Sequence, residues 1–250
     1  MLLIITAAVH PGGDIRKLEE RSAKDRLEQY YAALEQTILS GAFSRIVFCD
    51  NTEVELSAFQ TLTKLAGEHG VELELLSFAG DAQAVARQGK GYGEGEIMEY
   101  VMYHSRLVKE ADFLVKLTGR LVVDKLRQTV RKMKTDRCYF NIPNRTRREM
   151  VDTRFYAMPI KLFQDFFQKE YVRVDDKKGY YLEYVYTDTI KKNGLRTYNM
   201  PLYPRITGLS GSTGAVYTYR EWKCRIKDVL SRLQWYKLKP GKDRRGEKNE

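Results

Sequence analysis

The sequence predicts an α/β protein in which helices flank both faces of a mostly parallel sheet. In the first 120 residues, short apolar runs alternate with helical patterns at the spacing of successive β-α units. Hydrophobic residues make up 43% of the 250 residues, which is enough to build a large buried core. No apolar run approaches the roughly 18 residues that a membrane-spanning helix needs. A folded globular chain is therefore expected.

Four strands and three helices are predicted in the first half. The helices cover residues 16–40, 57–69 and 94–110, and the second of them stops at Gly70. The first apolar run has no basic residues before it, so we interpret it as a buried strand instead of a signal sequence. The four strands are LLIITAAV (2–9), RIVFCDN (45–51), VELELLSF (71–78) and DFLVKL (112–117).

Shorter elements are predicted after residue 120. GYYLEYVYTDTIKK (179–192) is a helix, YPRITGLSGSTGAVY (203–217) is a loop, and residues 219–238 form a final helix. The tail, residues 239–250, is expected to be disordered. The predicted strands are CYFNI (138–142), DTRFYAMPI (152–160) and YVRVDD (171–176).

The charge is basic and localised. The chain carries a net charge of +10, with an excess of +7 in residues 120–149 and of +6 in residues 220–250. Such asymmetry favours an anionic partner, which could be nucleotide phosphates, nucleic acid or an anionic membrane face. Three scattered cysteines fit neither a disulfide framework nor a metal knuckle, so a cytoplasmic location is expected.

Candidate ligand-binding residues follow the strands or lie in glycine-rich segments. In parallel sheets ligands bind at the carboxyl ends of the strands. Glycine allows close backbone approach, and the N-terminus of a helix attracts anions. Each of these segments could also be an ordinary turn or connection, and the glycine-rich residues 87–96 match neither the Walker nor the dinucleotide-binding pattern. The strand ends supply His10, Asp50, Asn51, Lys116, Thr118, Gly119 and Arg120; residues 87–96 supply Lys90, Gly91 and Gly93; residues 205–214 supply Arg205, Ser210 and Ser212.

Six segments, taken in order, resemble one enzyme family. They are LLIITAAVHP, RIVFCDNT, GKGYGEGE, ADFLVKLTGR, DTRFYAMP and GYYLEYVY. This order is similar to that of GT-A-type nucleotide-sugar glycosyltransferases, especially bacterial enzymes that build surface polysaccharide such as lipopolysaccharide or capsule. The resemblance implies a Rossmann-like GT-A fold, a nucleotide-sugar donor, and a glycan or lipid-linked acceptor. It implies a catalytic domain at 1–218, with a donor half (1–119) and an acceptor half (120–218), before a basic helix and tail at 219–250.

One departure from the family pattern concerns the metal. In that family an Asp-x-Asp motif after a strand holds a divalent metal on the diphosphate, but FLVKLTGR has no carboxylates there. A departing diphosphate needs positive charge, and arginine can supply it through paired hydrogen bonds. We therefore expect metal-independent transfer that uses Arg120 above all, with Lys116 and Lys90. No cofactor is expected, and Mg or Mn is the alternative.

The catalytic base of an inverting reaction would be a carboxylate near the start of a helix beyond the metal motif, as the resemblance implies. Glu183 is the best positional match, and Asp152 is the second. Each has an ordinary alternative: Glu183 as a solvated helix residue, and Asp152 as an ion-pair partner of Arg154.

Two rival functions remain open. A nucleotidyltransferase that makes an activated sugar would use a similar sheet, although it would be expected to bind metal through carboxylates. A non-enzymatic nucleic-acid-binding protein would use the basic segment 120–148. That segment lacks the regular aromatic residues of a stacking surface, and no nucleic-acid motif is present, so no nucleic-acid partner is expected.

The final helix has an apolar face bordered by basic residues. Such a helix could lie on the inner face of the cytoplasmic membrane, or it could pack its apolar face on the domain and leave its charges in water. The apolar positions are Tyr219, Trp222, Ile226, Val229, Leu230, Leu233 and Tyr236.

Overall fold

Ten strands and nine helices are present in the part of the chain that the computed structural model describes, which is residues 1–10, 16–142, 150–209 and 216–238. The strands are β1 (Leu2–Ala7), β2 (Arg45–Asp50), β3 (Glu72–Ser77), β4 (Phe113–Thr118), β5 (Leu121–Asp124), β6 (Cys138–Asn141), β7 (Asp152–Pro159), β8 (Thr197–Tyr198), β9 (Arg205–Leu209) and β10 (Val216–Tyr217). The helices are α1 (Arg16–Leu39), α2 (Gln60–Glu68), α3 (Ala82–Gln88), α4 (Lys90–His104), α5 (Arg106–Lys109), α6 (Leu126–Val130), α7 (Ile160–Phe166), α8 (Leu182–Lys192) and α9 (Glu221–Arg232).

The main sheet confirms the predicted fold class. Its seven strands lie in the order β3-β2-β1-β4-β7-β6-β8, and β1 to β4 are parallel to one another. Helices cover both faces, because one buried cluster contains α1 and α2 side chains and the other contains side chains of α4, α7 and α8. A smaller antiparallel sheet has the order β10-β9-β5. No helix in the described ranges is long and apolar enough to cross a bilayer.

The four strands predicted in the first half are confirmed, and several later predictions are corrected. The third predicted helix begins at Lys90 and breaks at Ser105, whose side chain caps α5. The predicted strand 171–176 is replaced by two short 3₁₀ turns, Glu170–Arg173 and Asp176–Lys178. The predicted loop 203–217 contains β9 and β10. The prediction failed there because the glycine- and serine-rich composition of this segment indicates a loop, and because β10 has only two residues.

The reversal of β7 places its first residues at the carboxyl end of the parallel strands. β7 runs antiparallel to β4, and Leu117 pairs with Phe155. Thr153, at the start of β7, therefore lies beside the end of β4 at Thr118. One edge of the sheet thus gathers the ends of β1, β2 and β4 together with the beginning of β7.

Candidate functional site

Three cations, Arg26, Lys90 and Arg120, lie close together at this edge and are called the cation cluster below. Burial lowers the pKa of Lys90, and the charges of Arg26 and Arg120 lower it further, while Asp176 opposes them. Burial also lowers the pKa of Arg120, with Arg26 acting in the same direction. Burial is the larger cause of both shifts, and the smaller contributions from the other cations indicate that the three positive charges lie near enough to repel one another. An anionic ligand would relieve this repulsion.

Arg120 is held in place by helix α1. Its Nη1 donates to Gln29 Oε1 at 3.0 Å, and its guanidinium lies 5.8 Å from the centre of the Tyr30 ring. The sequence predicted Arg120 as the main phosphate ligand, and its position at the carboxyl edge of the sheet is consistent with that prediction.

Arg26 is a candidate ligand that the sequence analysis missed. Its Nη2 donates to the carbonyl oxygen of Ala8 at 2.8 Å, directly after β1. Its Nε is buried and has no hydrogen-bond partner in the described part of the chain. A buried N–H of this kind is costly unless an acceptor reaches it, and a ligand oxygen could be that acceptor. No motif marked Arg26, because it lies in the middle of a long helix.

Gly119 serves to bring Arg120 against the sheet. A Cβ there would lie 2.6 Å from the Thr6 carbonyl oxygen and 2.8 Å from the Tyr30 ring. The Gly119 N–H donates to that same oxygen at 2.9 Å. Gly119 was predicted to contact the donor, and this N–H is not available for such a contact because it is already used within the fold. What the glycine provides is space.

Lys116 is buried and fully hydrogen-bonded, unlike the cation that the sequence led us to expect. Its ammonium donates to Glu94, to Thr118 Oγ1 at 2.8 Å and to the Thr153 carbonyl at 2.9 Å. These three bonds use all three N–H donors of a lysine. Lys116 therefore fixes its neighbours in position, and Thr118 is itself engaged as an acceptor.

Glu183 lies beside this lysine network. Its Oε1 accepts from Thr153 Oγ1 at 3.0 Å. Burial raises the pKa of Glu183, and the charges of Glu94 and Asp152 raise it further. A carboxylate with a raised pKa is a stronger base than an ordinary exposed glutamate, which suits it to accept a proton. Glu94, which bonds to Lys116 and raises the pKa of Glu183 through its charge, was not among the residues predicted from the sequence.

Asp152 has the ion-pair role that was its alternative. Its carboxylate accepts from Arg154 Nε at 2.9 Å and Nη2 at 2.6 Å, and from Asn141 Nδ2 at 3.3 Å. Burial acts to lower the pKa of Arg154, but the Asp152 carboxylate outweighs it and the net shift is upward. Because this carboxylate is buried and committed to a cation, the prediction that it acts as a base is corrected.

The glycine-rich segment is helical, which corrects its prediction as a phosphate loop. Gly91 packs against Leu182, and Gly93 packs against Asn51 in the first turns of α4. The Lys90 N–H, at the helix N-terminus, donates to Asp176 Oδ2 at 2.9 Å. The anion-binding end of this helix is thus already occupied by a carboxylate. The glycines permit close packing between elements.

The ends of β1 and β2 are joined through Asp50. This buried carboxylate accepts from the Val9 N–H at 2.8 Å and the Thr52 N–H at 2.7 Å, so its role is to shape the edge. Asn51 donates to Glu96 at 3.3 Å, while its Oδ1 is buried without a partner among the described residues. His10 is exposed at the end of β1. Asn51 and His10 remain candidates for donor contacts.

Arg205 lies apart from the cation cluster. It pairs in register with Asp124, four residues beyond Arg120, and its side chain is 1% exposed. Its guanidinium bonds to Glu221 and Asp228 at 2.7 and 2.8 Å, so the prediction that it contacts the donor is corrected. Ser210 and Ser212 fall outside the described residues.

No group of three or more His, Cys, Asp or Glu side chains that could hold a metal ion occurs among the residues that the structure describes.

Comparison with known proteins gives remote structural likenesses, including the following two. No protein-family model matches the chain, and no curated protein sequence matches it significantly. The mannosyltransferase Ktr4p from S. cerevisiae aligns over 93% of this chain and 81% of its own, with 9% identity and a TM-score of 0.48. HddC from Yersinia pseudotuberculosis aligns over 66% of this chain and 79% of its own, with 10% identity and a TM-score of 0.35. At these scores neither structure contributes to the assignment of an activity.

Proposed function

We propose that the chain is a glycosyltransferase of the GT-A type that moves a sugar from a nucleoside diphosphate to a glycan or lipid-linked acceptor without a metal. The observation that carries this proposal is the cation cluster at the carboxyl edge of a parallel sheet. The sequence resemblance to bacterial enzymes of surface polysaccharide assembly supports it, and so does the cytoplasmic location that the cysteines favour.

In the proposed reaction, the cation cluster binds the diphosphate. Arg120 and Arg26 donate to its oxygens, and Lys90 adds charge, so the negative charge that develops as the sugar–oxygen bond breaks is stabilised. The sugar carbon forms a new bond to the acceptor hydroxyl oxygen, and the nucleoside diphosphate leaves. In an inverting reaction, Glu183 takes the proton of that hydroxyl.

The test is calorimetric titration with UDP, GDP, CDP and an oligonucleotide in excess chelator. We expect one diphosphate to bind, and we expect Arg120→Ala to weaken that binding about a hundredfold. Arg106→Ala is the matched control, because Arg106 pairs with Glu72 at the opposite end of the strands. It should bind as the wild type does.

Three results would contradict the proposal. Binding or turnover that disappears in chelator and returns with Mg or Mn would refute metal independence. Preference for the oligonucleotide over every diphosphate would favour the nucleic-acid alternative. Release of pyrophosphate from a nucleoside triphosphate and a sugar phosphate would identify a nucleotidyltransferase.

A further inference from the structure

Helix α9 is attached to the domain by its polar side. The buried Arg205 holds Glu221 and Asp228 of this helix, and Cys224 and Ser231 are buried on the same side. The Tyr203 N–H also donates to Asp228 at 2.8 Å. An ordinary surface helix presents its apolar face to the core. This one presents carboxylates to a buried arginine.

The apolar side of α9 faces solvent. Trp222, Ile226, Val229 and Leu233 recur at helical spacing and are 59%, 54%, 54% and 68% exposed. Trp235, just beyond the helix, is 54% exposed. The alternative in which this face packs on the domain is therefore wrong for these residues. It holds for Tyr236, which is buried.

Exposed cations border the apolar stripe. At about 100° per residue, Lys223 lies on one side of the stripe, and Arg225 and Arg232 lie on the other. All three are exposed. The two acidic residues of the helix, Glu221 and Asp228, both bond to Arg205. Glu221 also bonds to Lys125 and lies 3.6 Å from Arg225, so this one border cation is partly neutralised. The outward side is consequently apolar in the middle and positive at both borders.

We propose that this side of α9 docks on the surface of an anionic bilayer, with the tryptophans and aliphatic side chains in the interface and the cations at the lipid phosphates. Charge complementarity selects this occupant. Long basic side chains can reach the headgroups while the apolar stripe is buried below them. A second copy of the chain would place like charges opposite one another across a twofold axis.

The experiment is co-sedimentation of the full chain with phosphatidylcholine vesicles, with and without phosphatidylglycerol. We expect binding to the anionic vesicles and little binding to the neutral ones, with the difference decreasing as salt is added. The assay needs neither donor nor acceptor. Its failure is therefore distinguishable from failure of the proposed glycosyltransferase activity, which is read from nucleotide binding.

Two variants and a control separate the contribution of the α9 cations to vesicle binding from that of its apolar side chains. The triple variant Lys223→Gln, Arg225→Gln and Arg232→Gln should lower partitioning onto anionic vesicles about a hundredfold. Trp222→Ser with Ile226→Ser and Leu233→Ser should lower it at least as much. The control, Tyr103→Ser with Val172→Ser, removes side chains that are each 55% exposed on other elements, and it should bind normally.

The contrary results are distinct. Equal binding to neutral and anionic vesicles, or none to either, overturns the proposal. The proposal is also overturned if the charge variant binds anionic vesicles as well as the wild type does. This outcome can be read even if the apolar variant does not fold. Self-association that the apolar variant abolishes, without vesicle binding, would assign the stripe to a second copy instead.

Discussion

Arg120 and Arg205 were both predicted to contact the donor phosphate, and the structure gives them opposite surroundings. Arg205 is buried between two carboxylates that hold α9 on the small sheet. Arg120 is partly buried beside two other cations, and its pKa is lowered mainly by burial. An arginine with paired charge builds structure, whereas one left among like charges is available to a ligand.

Lys116 extends the same comparison to the interior of the sheet. It lies on β4, only four residues from Arg120, yet its ammonium is enclosed by Glu94, Thr118 and Thr153. Distance along the chain therefore does not decide which cation serves the ligand. The number of acceptors already around each cation decides it.

The largest effect on stability should come from Arg205→Ala. Removing the guanidinium leaves Asp228 and Glu221 without their main partner, and breaking a buried pair from one side costs about 3 kcal/mol of unfolding free energy. Urea denaturation measures this. Arg106→Ala, at an exposed pair, should cost less than about 1 kcal/mol. Equal losses of unfolding free energy in the two variants would show that Arg205 has no special structural role.

Arg120→Ala should do the reverse, with little cost to stability and a large loss of turnover. Because Arg26 and Lys90 repel the charge of Arg120, removing that charge should change the unfolding free energy by less than about 1 kcal/mol. Turnover should fall about a hundredfold, because a donor to the developing charge is lost. Steady-state kinetics and urea denaturation of the same preparation check both parts. A large loss of stability with unchanged turnover would show that Arg120, like Arg205, has a structural role.

The pH dependence of stability should separate the carboxyls of the two regions. The raised pKa of Glu183 gives stability that is complete below the ordinary value of 4.5 and lost as pH rises through the folded-state pKa. Bonds to Arg205, then Lys125, lower the pKa of Glu221 to about 2, so its stability is present above 4.5 and lost as pH falls towards 2.

Thermal unfolding across that pH range tests these opposite signs. Relative to the wild type, Glu183→Gln should become more stable as pH rises above 4.5, because the variant carries no charge to bury. The deficit of Glu221→Gln should shrink as the solution is acidified below 4.5. If the unfolding temperature of both variants follows the wild type in parallel across this pH range, the burial assigned to Glu183 and the ion pairs assigned to Glu221 are wrong.

The smallest effect is expected at Asp176, which caps α4 next to the cation cluster. Asp176→Ala should lower the unfolding free energy by about 1 kcal/mol, the usual cost of losing a cap. It should also raise the affinity for nucleoside diphosphate modestly, because the variant lacks the negative charge that Asp176 places near Lys90. Urea denaturation and calorimetry measure the two quantities. Weaker nucleotide binding would show that Asp176 supports the site instead of competing with it.

The sequence by itself determined the parallel half of the sheet and the edge where ligands are expected. The runs of β1, β2, β3 and β4, separated by helical patterns, leave little choice of fold, because three of them (β1, β2 and β4) are mostly apolar and must be buried on both faces, while the alternating β3 suits the sheet edge. Polar residues at the ends of those runs marked the carboxyl edge, which stays the predicted ligand-binding edge. Arg120 and Glu183 were both named from their positions along the chain.

Only the tertiary structure decided which charges are neutralised. Arg26 joins the cluster because α1 crosses the end of β1, and Glu94 meets Lys116 because α4 packs on β1 and β2, next to β4. The exposed stripe of α9 likewise depends on Arg205, which lies on a strand that the sequence analysis assigned to a loop. A sequence records the presence of a charge, but the free energy of that charge depends on which groups the fold brings within a few ångströms.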